Sequence, residues 1–237
     1  MRIHFCKSLK LVLPLKSKTM KIKSILFLTI LLITMACQKK ETSEKATFVK
    51  DPHSFSNPNQ AVVKHLDLDI KVDFDTQTIS GKASWTIDNS SKGNEIIFDE
   101  NTLNISKVTL GDEEKETQFK LGNEVEFHGK PLHITIDANT TKVNIYYTTT
   151  KEAIALQWLT PPQTADKKKP FLFSQGESIW SRTWIPCQDS PSIRFTYNAK
   201  VTVPKDLLAV MSAVNPKQKN ESGIYTFKQD KAIPSYL

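Results

Sequence analysis

The stretch Phe171–Ala199, FLFSQGESIWSRTWIPCQDSPSIRFTYNA, governs how the rest of the chain is read. Its final third alternates Ile193, Phe195, Tyr197 and Ala199, and the pattern runs on through Val201 and Val203. That period of two predicts a strand with one buried face. Just before it, Pro186-Cys187-Gln188-Asp189-Ser190-Pro191 places two prolines around polar turn residues, the composition of a rigid turn. Upstream again, Gln175-Gly176-Glu177-Ser178 has no alternation at all. An irregular polar loop backed by a stiff turn and a strand is a device for holding polar side chains still over a cleft, because binding groups concentrate on loops carried by rigid sheets.

Outward from this centre the chain is a succession of strands. Leu66, Leu68, Ile70, Val72 and Phe74 alternate with polar residues, and Asp75-Thr76-Gln77-Thr78 turns the chain. Ile79, Ala83, Trp85 and Ile87 form the returning strand, with Gly81 marking a bulge or a close approach of backbones. Further strands are predicted over 95–98, 103–110, 118–121, 125–127, 132–136 and 143–147, separated by Gly-Asp, Gly-Asn and Asp-Ala-Asn turns. Residues 151–170, with Pro161-Pro162 and Lys167-Lys168-Lys169-Pro170, read as an exposed excursion. Leu208–Ala213 and Gly223–Phe227 follow, and no helical stripe is present after residue 60. The expected fold is all-β, a many-stranded antiparallel saddle or sandwich domain over 60–237. At that length ~70% of the unfolded chain's surface is buried on folding.

Four segments carry a family resemblance. LQWLTPPQT (156–164), FLFSQGES (171–178), WIPCQDSPSIRFTY (184–197) and VPKDLLAVMSA (203–213) occur in that order. Together they resemble the amino-terminal β domain of zinc aminopeptidases of the aminopeptidase N and leukotriene-A(4) hydrolase type. The likeness runs from about residue 51 to 237 and is nearer the leukotriene hydrolase branch. It implies a curved β domain that covers a separate catalytic domain. It also implies roles for two residues: Glu177 meets the free α-ammonium of a peptide substrate, and Gln175 shapes the first side-chain pocket. The leukotriene hydrolase itself has glutamine at the second of these places, whereas Glu177 matches ordinary aminopeptidases.

The net charge of +7 is concentrated in one place. Residues 1–37 hold seven basic residues and no acidic one, and the remainder balances 25 basic against 25 acidic residues. A basic footprint for nucleic acid is therefore missing from the rest of the chain. Met20–Cys37, MKIKSILFLTILLITMAC, has the short positive, apolar and small-residue regions of a secretory signal. Its final cysteine stands as in bacterial lipoproteins, which implies cleavage before Cys37, lipidation of its thiol and a place in the bacterial cell envelope. An uncleaved transmembrane anchor is the competing reading, although the run is short for a ~20-residue span. Met20 is the expected start, 1–37 the upstream segment and signal peptide, and 38–59 a flexible tether whose distal end, 51–56, packs on the domain. Cys187 is then the lone cysteine of the mature chain, and a buried, inert thiol is expected in that turn.

A zinc peptidase needs His-Glu-x-x-His on a helix, two ligands one turn apart with the general base between them. His53, His65, His128 and His133 are the histidines beyond residue 37, and none is followed by glutamate. The family's Gly-x-Met-Glu-Asn segment is also missing. The expectation is a chain with no catalytic residue and no metal ligand of its own, with zinc held in a catalytic domain this sequence does not contain. The expected partners are that domain, a peptide with a free amino terminus, and a membrane reached through the lipid. A stand-alone surface lipoprotein binding peptide or glycan is the alternative. Asp189 is expected to close its own turn through backbone N–H groups. Arg182 and Arg194 are candidates to pair with acidic neighbours, and Trp158, Trp180 and Trp184 to pack in the core or at its rim.

Overall fold

The structure is a computed structural model that describes residues 47–237. The signal segment, Cys37 and the first part of the tether lie outside the described residues. Among the described residues, twelve strands make up three sheets. In chain order they are β1 (Val62–Asp73), β2 (Thr78–Asp88), β3 (Glu95–Glu100), β4 (Asn104–Leu110), β5 (Lys115–Glu116), β6 (Phe119–Leu121), β7 (Lys130–Thr135), β8 (Lys142–Thr148), β9 (Leu156–Leu159), β10 (Phe171–Ser174), β11 (Phe195–Thr202) and β12 (Ile224–Ile233). The described residues contain no α-helix, and two 3-10 turns, Pro161–Gln163 and Ser181–Thr183, interrupt the β structure.

The large sheet runs β12-β11-β1-β2-β8-β4-β5, and the smaller ones β3-β7-β6 and β9-β10. The long alternating segments form its centre. Leu66, Leu68, Ile70 and Val72 are buried along β1, and Tyr197, Ala199 and Val201 along β11. The expectation of an antiparallel fold needs one correction: β1 and β11 pair in parallel, Leu66 opposite Tyr197 and Ile70 opposite Val201, so the large sheet is mixed. Alternation reports which face of a strand is buried and carries no information on its neighbour's direction. More than a hundred residues separate the two strands, ample for the crossover that a parallel pair requires.

Gly81 is a point of close approach: a Cβ there would lie 2.0 Å from the Asp69 carbonyl oxygen of the facing strand. Trp85 joins two sheets, tilted 5.9 Å from Phe98 of β3 and edge-on 4.8 Å from Phe195 of β11. Its indole N–H donates to the Pro186 carbonyl at 3.1 Å, tying the core to the double-proline turn. Two local expectations are corrected. Val125–Phe127 is a tight turn closed by a single bridge from Val125 to Gly129, with Phe127 in the left-handed region and 69% exposed. The 151–170 excursion contains a strand, because β9 pairs along its whole length with β10. Four residues are too few for a period to stand out in sequence.

Candidate functional site

The loop Gln175–Ser178 leaves the end of β10 and runs straight into the 3-10 turn Ser181–Thr183. Gln175 and Glu177 are both exposed, and the Gly176 between them is buried. The Gln175 side-chain oxygen accepts the Glu177 backbone N–H at 2.8 Å, so the two candidate residues share one small hydrogen-bonded turn. Three further bonds tie this turn down. Gln175 N–H donates to the Ala155 carbonyl at 2.8 Å and Trp180 N–H to the Gly176 carbonyl at 2.8 Å. Ala155 N–H in turn donates to the Thr183 hydroxyl at 3.1 Å. Glycine is required at 176 by packing: a Cβ would sit 2.4 Å from the Ser181 hydroxyl oxygen and 3.0 Å from Tyr236 Cα.

The 3-10 turn that follows the loop carries a charged hub. Arg182 is fully buried. Its Nε donates to Asp189 Oδ2 at 3.1 Å, one terminal nitrogen to the His128 carbonyl at 2.9 Å, and the other to the His53 carbonyl at 2.8 Å and the Asp189 carbonyl at 3.1 Å. Asp99, also fully buried, stands 3.7 Å from the guanidinium. It accepts the Ser54 hydroxyl at 2.6 Å and the backbone N–H groups of Phe55 and Asp189 at 2.7 and 2.8 Å. Burial pushes the Asp99 carboxyl above its ordinary range, and Arg182 and these donors pull it back. Through this hub the segment 53–56, the loop at His128, β3 and the double-proline turn meet at the 3-10 turn Ser181–Thr183.

Asp189 acts outside its own turn, correcting the expectation. Its carboxylate accepts the Arg182 backbone N–H at 3.2 Å and the Ser235 hydroxyl at 2.5 Å, while Ser190 N–H to the Gln188 carbonyl at 3.0 Å closes the turn. Gln188 is fully buried and works as a backbone mimic: its amide oxygen accepts Val63 N–H at 3.0 Å and its nitrogen donates to the Ala61 and Ile97 carbonyls. Burial pushes the Cys187 thiol well above its usual range, so little reactive thiolate forms. Arg194 is exposed and forms no ion pair among the described residues. Trp158 stacks edge-on against Phe74 at 5.3 Å, and it and Trp184 are half-buried against the core. Trp180 is half-buried as well.

The histidines do not assemble a metal centre. His133 lies 3.1 Å from Glu95, His65 bonds Thr196, and His53 faces His128 at 3.3 Å. No group of three or more His, Cys, Asp or Glu side chains suited to a metal occurs among the described residues. With no His-Glu-x-x-His in the sequence either, these residues do not fit a catalytic zinc.

A family model described as the peptidase M1 N-terminal domain matches residues 62–237. The chain belongs to the peptidase M1 family, as its amino-terminal domain. Among curated proteins of the family, leukotriene A-4 hydrolase of Xenopus laevis is 40% identical over 198 residues, covering 79% of this chain and 32% of that protein. Leucine aminopeptidase 2 of Chaetomium globosum is 33% identical over 198 residues, covering 80% and 32%. The structure of native yeast LTA4 hydrolase superposes with a TM-score of 0.71 at 30% identity, over 81% of this chain and 30% of that one. An M1 zinc metallopeptidase mutant of Deinococcus radiodurans, bound to a Tyr-Ser-Ala substrate, shares the fold at a TM-score of 0.57 and 20% identity. This M1 domain spans about a third of the length of the curated relatives it matches. The M1 family is zinc-dependent.

Proposed function

We propose that this chain is the substrate-clamping amino-terminal domain of a lipid-anchored zinc aminopeptidase, an enzyme that releases amino-terminal residues from peptides. The observation that carries this reading is the tied turn at Gln175–Glu177, held by backbone bonds to Ala155 and Trp180 with the Glu177 carboxylate exposed. An exopeptidase must measure its cut from a charged amine. A carboxylate on a loop with few remaining degrees of freedom complements that ammonium and orients the peptide. Glu177 takes the ammonium in this reading, and Gln175 both braces Glu177 and borders the first side-chain pocket. The zinc, its ligands and the general base belong to a catalytic domain with no counterpart here, and the chain alone hydrolyses nothing. The lipid at Cys37 would hold the enzyme to a membrane in the cell envelope, and it rests on the signal-like sequence alone. The coding sequence adjoining this chain tests the reading. Gly-x-Met-Glu-Asn and His-Glu-x-x-His in the same frame support it, and an intact gene without them overturns it.

A further inference from the structure

An apolar groove of about 520 Å³ opens on one face of the large sheet. Its floor is Leu66, Leu68, Ile70 and Val72 of β1. One wall is the whole of β10, and the other is Leu207–Ser212. β10 is a strand with one free edge, and Leu208–Val210 is an open stretch within a segment whose ends are held, Leu207 N–H donating to the Pro204 carbonyl and Met211 N–H to Asn215 Oδ1. β10 pairs with β9 on one side only. Residues 207–213 belong to no sheet, and the backbone N–H groups of Leu208, Ala209 and Val210 form no hydrogen bond among the described residues. Yet the burial of this segment alternates as in a strand: Leu208 is 38% and Val210 62% exposed, with Ala209 between them at 8%. Two hydroxyls lining the groove, those of Tyr197 and Ser181, are buried and have no hydrogen-bond partner among the described residues. Orphaned hydroxyls and open strand edges are both costly, and native folds cover them.

We propose that the groove is an acceptor for one extended, apolar β-strand, which lies between β10 and Leu207–Ala213 and joins them into one sheet. The occupant is polypeptide from the part of the larger enzyme that has no counterpart in this chain, so the proposal rests on the reading of the chain as one domain of a longer peptidase. A small apolar ligand would fill the volume and leave both backbone edges unpaired. A strand satisfies both: its N–H and C=O groups bond to the walls while alternate side chains point at the β1 floor. The relatives are about three times as long as the matched region, which leaves ample chain to supply it.

The test uses the full chain extended after Leu237, itself a groove-lining residue, by Val-Thr-Val-Thr-Val-Thr-Lys. The control replaces each added threonine with proline, which removes N–H donors and cannot continue a ladder. Tethering keeps the added strand at a high local concentration. The strand extension is expected to raise Tm by about 2–4 °C or more, and to slow amide exchange at Leu208, Ala209 and Val210 by about tenfold or more. The proline control should do neither. Equal behaviour of the two extensions, or a rise in Tm with unchanged exchange at these amides, overturns the proposal. So does stabilisation of the unextended chain by dodecanoate with no effect of the strand, which would mark a small-ligand pocket. This outcome is independent of the gene-level test: missing zinc motifs would remove the peptidase reading and leave a strand-accepting groove standing.

Discussion

At the scale of single residues, Arg182 ties together the segments that meet at the 3-10 turn following the candidate loop. It is a buried cation with one fully buried carboxylate bonded to it and a second nearby, and it reaches four separate stretches of backbone and side chain. Removing one member of such a pair leaves the other charge buried and uncompensated, typically at a cost of about 3–5 kcal/mol. Arg182→Met is expected to lower the unfolding free energy of the domain by that amount, read as a lower urea midpoint with the denaturant slope unchanged. An unchanged midpoint would show that the hub is dispensable. This part of the site was only partly legible in sequence. Gln175 and Glu177 stand out through the family-like segment FLFSQGES that carries them, since the loop itself has no period. Arg182 was readable as a candidate to pair with acidic neighbours, and it pairs with Asp189 and Asp99. Gln188 and Asp99 were not readable, since charged and amide side chains ordinarily read as surface and become core only through partners far along the chain. The one sequence clue was compositional: Pro186–Pro191 packs turn formers beside an arginine and an aspartate.

At the scale of elements, the long alternating strands were readable and the shortest ones were not. β1, β2, β7, β8 and β11 each follow an alternation long enough to name the buried face, and the structure buries those faces. β9 and β10 were hidden by their brevity, and the parallel pairing of β1 with β11 by the fact that alternation is blind to direction. Gly81 shows a single residue setting an element's limits, because the β1–β2 pair closes over it at Ile70. Gly81→Ala should force the two backbones apart and destabilise the domain by roughly 1–3 kcal/mol, the usual penalty for overpacking. Equilibrium unfolding in urea checks this. Wild-type stability in the variant would mean that the strands relax at no cost and that the glycine serves some other end.

At the scale of the whole molecule, the chain corresponds to the amino-terminal domain of the M1 family. It matches about a third of each curated relative and contains no His-Glu-x-x-His. The proposed lipid anchor makes a prediction of its own: Cys37→Ser should move the protein from the membrane to the soluble fraction of cells, because the thiol is the acceptor. Retention in the membrane fraction would point to an uncleaved helix. The claim on which the functional reading turns is the role of Glu177, and one measurement reaches it directly. In the full-length enzyme, catalytic efficiency of Glu177→Gln is compared on paired substrates with a free and an acetylated amino terminus. A charge-assisted hydrogen bond shielded from water contributes roughly 1.5–3 kcal/mol, which corresponds to a ~10- to 150-fold loss of kcat/KM on the free-amine substrate. Turnover of the acetylated substrate and zinc content should barely change. Equal losses on both substrates, or no loss on either, would contradict the assignment of Glu177 as the residue that reads the substrate's amine.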